Sequence, residues 1–115
     1  MSNTMTLTLA NAASITAVAK GTPIRCNVSP FQGGQNHNAL LINQTPIAGG
    51  GVIAIEGNPL QGPTAPVPTD PGWYNIATLN ATSVDEQEIL LPLWIRTNIT
   101  TLGTGTMNII LEGVQ

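Results

Sequence analysis

Twelve glycines and nine prolines are spread through the 115 residues of this chain, and long helices do not tolerate that density of backbone punctuation. The densest stretch is Gly57–Gly72, GNPLQGPTAPVPTDPG, which holds Pro59, Pro63, Pro66, Pro68 and Pro71. Neither a helix nor a central strand can run through it, because each proline lacks an N–H and fixes its own φ. It reads as a stiff, extended surface loop (57–72) that crosses between sheets, with a ligand-contacting loop as the alternative. Elsewhere the dominant period is two. Thr6-Leu7-Thr8-Leu9 alternates, Ser14–Ala19 is weaker, and Pro23–Val28 alternates again. Ala39–Asn43 and Val52-Ile53-Ala54-Ile55-Glu56 are short apolar runs bounded by turn signals. Trp73–Leu79, Ile89–Thr97 and Thr106–Glu112 follow, and Leu102-Gly103-Thr104-Gly105 reads as a hairpin turn before the closing strand. In Ile89–Thr97 apolar residues fall on both faces at the start, which predicts cover on both sides. Pro92 there predicts a bulge or an edge. A single helical turn at Asn11–Ile15 or Ser83–Glu88 is the most helix this pattern allows. The expectation is an all-β, single-domain antiparallel β-sandwich over residues 1–115, jelly-roll-like, with about eight strands, a count that an immunoglobulin-like sandwich or an open barrel also satisfies.

Charge narrows the function more than the fold. Only 8% of the chain is charged, with three Lys and Arg against six Asp and Glu, so there is no cationic surface to neutralise a phosphate backbone or hold an anionic membrane. Nucleic-acid and membrane partners are excluded on that ground. No apolar run approaches the roughly 18 residues of a membrane-spanning helix, and no secretion signal is read at Ala17-Val18-Ala19, which no positive charge precedes. Cys26 is the single cysteine and alternates with Ile24 and Val28, which predicts a buried core thiol.

The inventory for chemistry is thin. The sole histidine, His37, stands in a polar glycine-rich loop with no Cys, Asp or Glu beside it, which is not a metal-site spacing. Asp85, Glu86 and Glu88 lack the spacing of a calcium loop and read as a solvated acidic turn. Gly49-Gly50-Gly51 lacks the Lys and Ser/Thr of a phosphate-binding loop and precedes a strand, so it is a turn. No catalytic residue, cofactor or metal is assigned, and the expectation is a protein that is not an enzyme. Candidate contacts with a partner or ligand are Thr6, Thr8, Phe31, Trp73, Tyr74, Trp94 and Arg96. The aromatics among them could serve as platforms for a glycan. The plainer alternative places one indole in the core between the sheets and the other at its rim. Arg96 is expected to pair with Glu56 or Glu112, or to make an intersubunit contact.

Fifteen threonines and eleven asparagines carry most of the polarity. A solitary domain covers itself with Lys and Glu, whereas neutral groups can be buried against another protein without the cost of desolvating an unpaired charge. The composition therefore predicts an assembly component. The runs Val52-Ile53-Ala54-Ile55-Glu56-Gly57, Gly72-Trp73-Tyr74-Asn75-Ile76-Ala77 and Trp94-Ile95-Arg96-Thr97-Asn98-Ile99-Thr100, with the turn at Gly103-Thr104-Gly105, resemble the small jelly-roll or β-sandwich decoration (cement) proteins that coat tailed-bacteriophage capsids. That resemblance covers mainly residues 50–115. It implies a virion structural protein on the outer surface of the capsid, made in the host cytoplasm, that binds across neighbouring major capsid protein subunits as a homodimer or homotrimer. It brings no catalytic residues. The uncharged stretch Met1–Asn11 is expected to act as an N-terminal arm that adds a strand to a neighbour's sheet. A small carbohydrate- or receptor-binding module of a phage tail or fibre is the alternative.

Overall fold

The computed structural model describes residues 4–26, 38–60, 63–81, 83 and 86–114. Nine strands run in chain order: β1 (Thr4–Ser14), β2 (Ala19–Lys20), β3 (Ile24–Arg25), β4 (Asn38–Asn43), β5 (Val52–Asn58), β6 (Tyr74–Leu79), β7 (Glu86–Leu90), β8 (Trp94–Thr101) and β9 (Thr106–Val114). There is no helix among the described residues. Both of the sites allowed a helical turn lack one where described: 11–14 belong to β1 and 86–88 to β7.

One sheet has the order β1-β9-β4-β7 and the other β2-β8-β5-β6, with β3 also on β8. Strands β2 and β3 pair different parts of the same edge of β8, Ala19 opposite Ile99 and Ile24 opposite Ile95, so they are one strand interrupted at 21–23. Counted that way, the pairs nest: β1 with β9, β2/β3 with β8, β4 with β7 and β5 with β6. A long antiparallel ribbon has been rolled up, and β4–β9 and β5–β8 are the new ladders that rolling creates. This is a jelly roll.

The core lies between the sheets. Ile53, Ile55 and Ile95 from one sheet meet Leu41, Ile109 and Leu111 from the other, all of them fully buried. These are β-branched or large apolar side chains at every second strand position, each contributing roughly 1.5–3 kcal/mol by leaving water. Cys26 is 0% exposed and belongs to this core, as its alternation predicts.

Four expectations are corrected. Ile89–Thr97 is not one strand: β7 ends at Leu90 in one sheet and β8 begins at Trp94 in the other. Pro92 sits in the link, where its missing N–H costs no ladder bond. Leu102–Gly105 is likewise not a hairpin within one sheet, because β8 and β9 lie in different sheets. It turns a corner held by Gly103 N–H to Ile15 O (2.8 Å), Ile15 N–H to Gly105 O (3.2 Å) and Thr104 N–H to Ala48 O (3.2 Å). Finally, the proline-rich segment does not cross between sheets; it joins β5 to β6, neighbours in one sheet, and is the tip of the rolled ribbon. The stretch expected to be an arm is, from Thr4 onward, an edge strand of the chain's own sheet, paired with β9.

Candidate functional site

Because Ile95 and Ile99 point into the core, alternation turns Trp94, Arg96 and Asn98 to the outer face of β8. Ile53 and Ile55 do the same for Ala54, Glu56 and Asn58 on β5. The register sets Arg96 directly opposite Glu56, and Trp94 opposite Asn58. On the other side of β8, Arg25 lies opposite Trp94 and Lys20 opposite Asn98. All three Lys and Arg of the chain thus belong to this one outer face. The outer face of the other sheet carries Glu86, Glu88 and Glu112, set between Leu40, Ile42 and Ile110.

Arg96 is the centre of the first face. It is only 3% exposed, and its Nε and Nη2 both lie 2.8 Å from Glu56 Oε1. Asn98 Nδ2 donates to Glu56 Oε2 at 3.2 Å, so both carboxylate oxygens are engaged. The remaining arm of the guanidinium, Nη1, donates to Pro68 O at 3.1 Å, and its plane lies 3.9 Å from the centroid of the Trp73 ring. One planar cation therefore ties the sheet to the proline loop through an ion pair, a carbonyl and an aromatic face.

The loop is pinned at further points. Trp94 Nε1 donates to Leu60 O (3.0 Å) and Trp73 Nε1 to Val67 O (2.9 Å). Asp70 Oδ1 accepts from Asn58 Nδ2 (3.1 Å) and Gly72 N–H (2.7 Å), while Asn58 Oδ1 accepts from Leu60 N–H (2.9 Å). This cover is why four consecutive residues, Trp94–Thr97, are all buried, whereas at the start of Ile89–Thr97, where the apolar pattern predicts cover on both faces, Leu90 is 55% exposed. Neither indole is in the core between the sheets. Trp94, 6% exposed, lies on the outer face beneath the loop, and Trp73 packs over Arg96.

Of the candidate contacts, Trp73, Trp94 and Arg96 come together on this face; Tyr74 is exposed at the start of β6 opposite Gly57, and Thr6 and Thr8 are exposed on β1 of the other sheet. Phe31 lies outside the described residues, as do His37 and Asp85. Arg96 takes Glu56, one of its two expected partners. Asn58 and Asp70 were not singled out from the sequence. Their signal was present as Asn58-Pro59 and Asp70-Pro71-Gly72, since Asn and Asp beside proline cap turns with their own side chains.

This arrangement offers rigidity rather than reactivity. The guanidinium is 3% exposed and committed to Glu56 and Pro68, and among the described residues no group of three or more His, Cys, Asp or Glu could hold a metal ion. From the loop that covers it, Leu60 (40% exposed) and Val67 (61% exposed) reach solvent. Between the edges of β1 and β2/β3 lies a cavity of about 310 Å³ whose walls include Leu9, Ile24, Ile99 and Met107.

Burial pushes the Cys26 thiol from 9.0 up to about 12. Below pH 9 both folded and unfolded chains hold the proton and the thiol adds no pH dependence. Between 9.0 and about 12 only the unfolded chain releases it, so stability falls as pH rises through that window. The native protein is accordingly expected to resist a disulfide reagent at neutral pH and to react stoichiometrically in denaturant. Rapid labelling of the native protein at pH 7 would contradict that placement.

In comparisons with known proteins, no family model, no curated protein and no solved structure matches the chain.

Proposed function

We propose that the protein is a noncatalytic structural component of a bacteriophage virion, a decoration or cement protein that binds across major capsid protein subunits on the outside of the head. The observation that carries this reading is a charge-poor exterior on a jelly roll with its own well-filled core. Exposed positions include Thr6, Thr8, Thr100, Leu60, Val67, Tyr74 and Leu90, and of the three Lys and Arg only Lys20 is exposed. Neutral and apolar groups of this kind can be covered without stranding a charge, and charge depletion marks the cores of protein interfaces. The fold alone carries no function, since jelly rolls serve capsids and lectins alike.

The test is cosedimentation of the purified full chain with phage heads lacking it. Stoichiometric, saturable binding that raises the heads' resistance to heat is the expected result, and free protein left in the supernatant at every concentration would overturn it. The carbohydrate- or receptor-binding alternative draws on Trp73 and Tyr74, of which Tyr74 is 47% exposed. Trp94 cannot be its platform, because the indole is buried beneath Leu60. Glycan-array binding that disappears in Trp73→Ala, with no binding to heads, would select that alternative.

A further inference from the structure

We infer that the free edge of β1, over Thr4–Thr8, joins two copies of this chain, strand against antiparallel strand, into one sheet that continues across a two-fold axis. The inference rests on reading the domain as an assembly component, and it names the surface through which the domain assembles with itself.

An open two-sheet sandwich has four edges, each a row of unpaired N–H and C=O groups, and three of the four here carry a feature that discourages pairing. The β7 edge is five residues long with Glu86 and Glu88 exposed on it. The β2/β3 edge consists of two pieces of two residues each, bearing Lys20 and Arg25. The β6 edge is bulged: Ile55 faces Ala77 and Glu56 faces Asn75, which leaves Ile76 as the extra residue. Strand β1 is also irregular, but only beyond Thr8. From Thr4 to Thr8 it keeps unbroken register with Val114 to Ile110, and no charged side chain precedes Lys20 in the sequence. No strand of the described residues pairs its outer edge. Five regular residues match the usual length of a strand.

Electrostatics selects a second copy as the occupant. A two-fold centred on Thr6 sets Thr6 against Thr6, and a cross-strand threonine pair is favourable. The nearest acid on that face is Glu112, opposite Thr6 on β9. The two copies of Glu112 would be separated by three strand spacings, about 14 Å, beyond the screening length of roughly 8 Å at physiological salt. Joining two copies through β7 would instead bring Glu86 and Glu88 of both onto adjacent strands. Because the β1 contact is isologous, it closes at two copies and does not propagate into a fibre.

The test is sedimentation equilibrium of the full chain and of the double variant Thr6→Lys/Thr8→Lys. Lysine at position 6 faces Glu112 on β9, so the fold is retained, which a far-UV thermal melt checks. The expected result is a wild-type dimer whose Thr4–Thr8 amides exchange slowly, and a double variant whose dissociation constant rises by about tenfold or more. Thr100→Lys, on the other sheet, leaves the dimer intact. A wild-type monomer at every concentration, or a dimer that the double variant does not weaken, overturns the inference. A monomer that still binds heads removes this inference and leaves the proposed function standing; a β1 dimer that ignores heads does the reverse.

Discussion

Arg96→Ala is expected to lower the unfolding free energy by about 3–5 kcal/mol, the range for removing one partner of a buried ion pair. For a domain near this size that corresponds to a fall in Tm of roughly 12 °C or more. The magnitude follows from what the substitution strands. Glu56, whose side chain is 16% exposed, would keep only the 3.2 Å bond from Asn98, and Pro68 O would lose its donor beneath the loop. Trp73 would lose the cation against its ring, so its fluorescence reports the change directly. Arg96→Leu restores the apolar volume yet leaves the same carboxylate unpaired, so it is expected to be destabilised as well. Glu56→Gln keeps an acceptor for the guanidinium and should cost less. Urea unfolding followed by tryptophan fluorescence, with proteolysis of 59–73 as a second readout, measures all three. A loss below about 1 kcal/mol for Arg96→Ala would place the pair among solvent-exposed bridges and sink the clamp.

Gly103→Ala is the second large effect, at about 3 kcal/mol. A Cβ at this position would lie 2.3 Å from Ala48 O and 2.9 Å from Gly51 Cα, both backbone atoms that cannot swing aside. The corner between β8 and β9 would have to open, breaking the bond from Gly103 N–H to Ile15 O and the bridge between Ala48 and Thr104. Gly105→Ala separates this steric cause from backbone conformation. Gly105 has φ +82° but open space around its missing Cβ, so its cost is the left-handed penalty alone, about 1–2 kcal/mol. Equal losses in the two variants, by calorimetry or urea titration, would mean that the three loops at this corner do not approach as closely as described.

The unequal legibility of these features in the sequence has a physical origin. Period-two alternation is local: it follows from side chains pointing to opposite faces of an extended backbone. Cys26, Ile53, Ile55, Ile109 and Leu111 could therefore be assigned to the core from their neighbours alone. The same pattern could not reveal that Ile89 and Ile95 belong to different sheets, because a strand and a sheet-to-sheet link can carry the same apolar rhythm. Pro92 was the local sign of that break. The proline loop was legible as a loop, but its destination was not. It folds back over Trp94 and Arg96 because those residues, sent outward by alternation, need cover that only a distant segment supplies.

Taken by itself, the sequence determined an all-β chain punctuated by Gly and Pro, a buried thiol, and a composition poor in charge. Only the tertiary structure decided that the ribbon rolls with β1 on β9 and β5 on β6. It also decided that Arg96 takes Glu56 rather than Glu112, and that β1 ends its sheet with no described strand on its outer edge. The reason is one of range. Alternation and turn chemistry are settled within a few residues, whereas Arg96 and Glu56 stand 40 residues apart and meet only once β5 and β8 lie side by side.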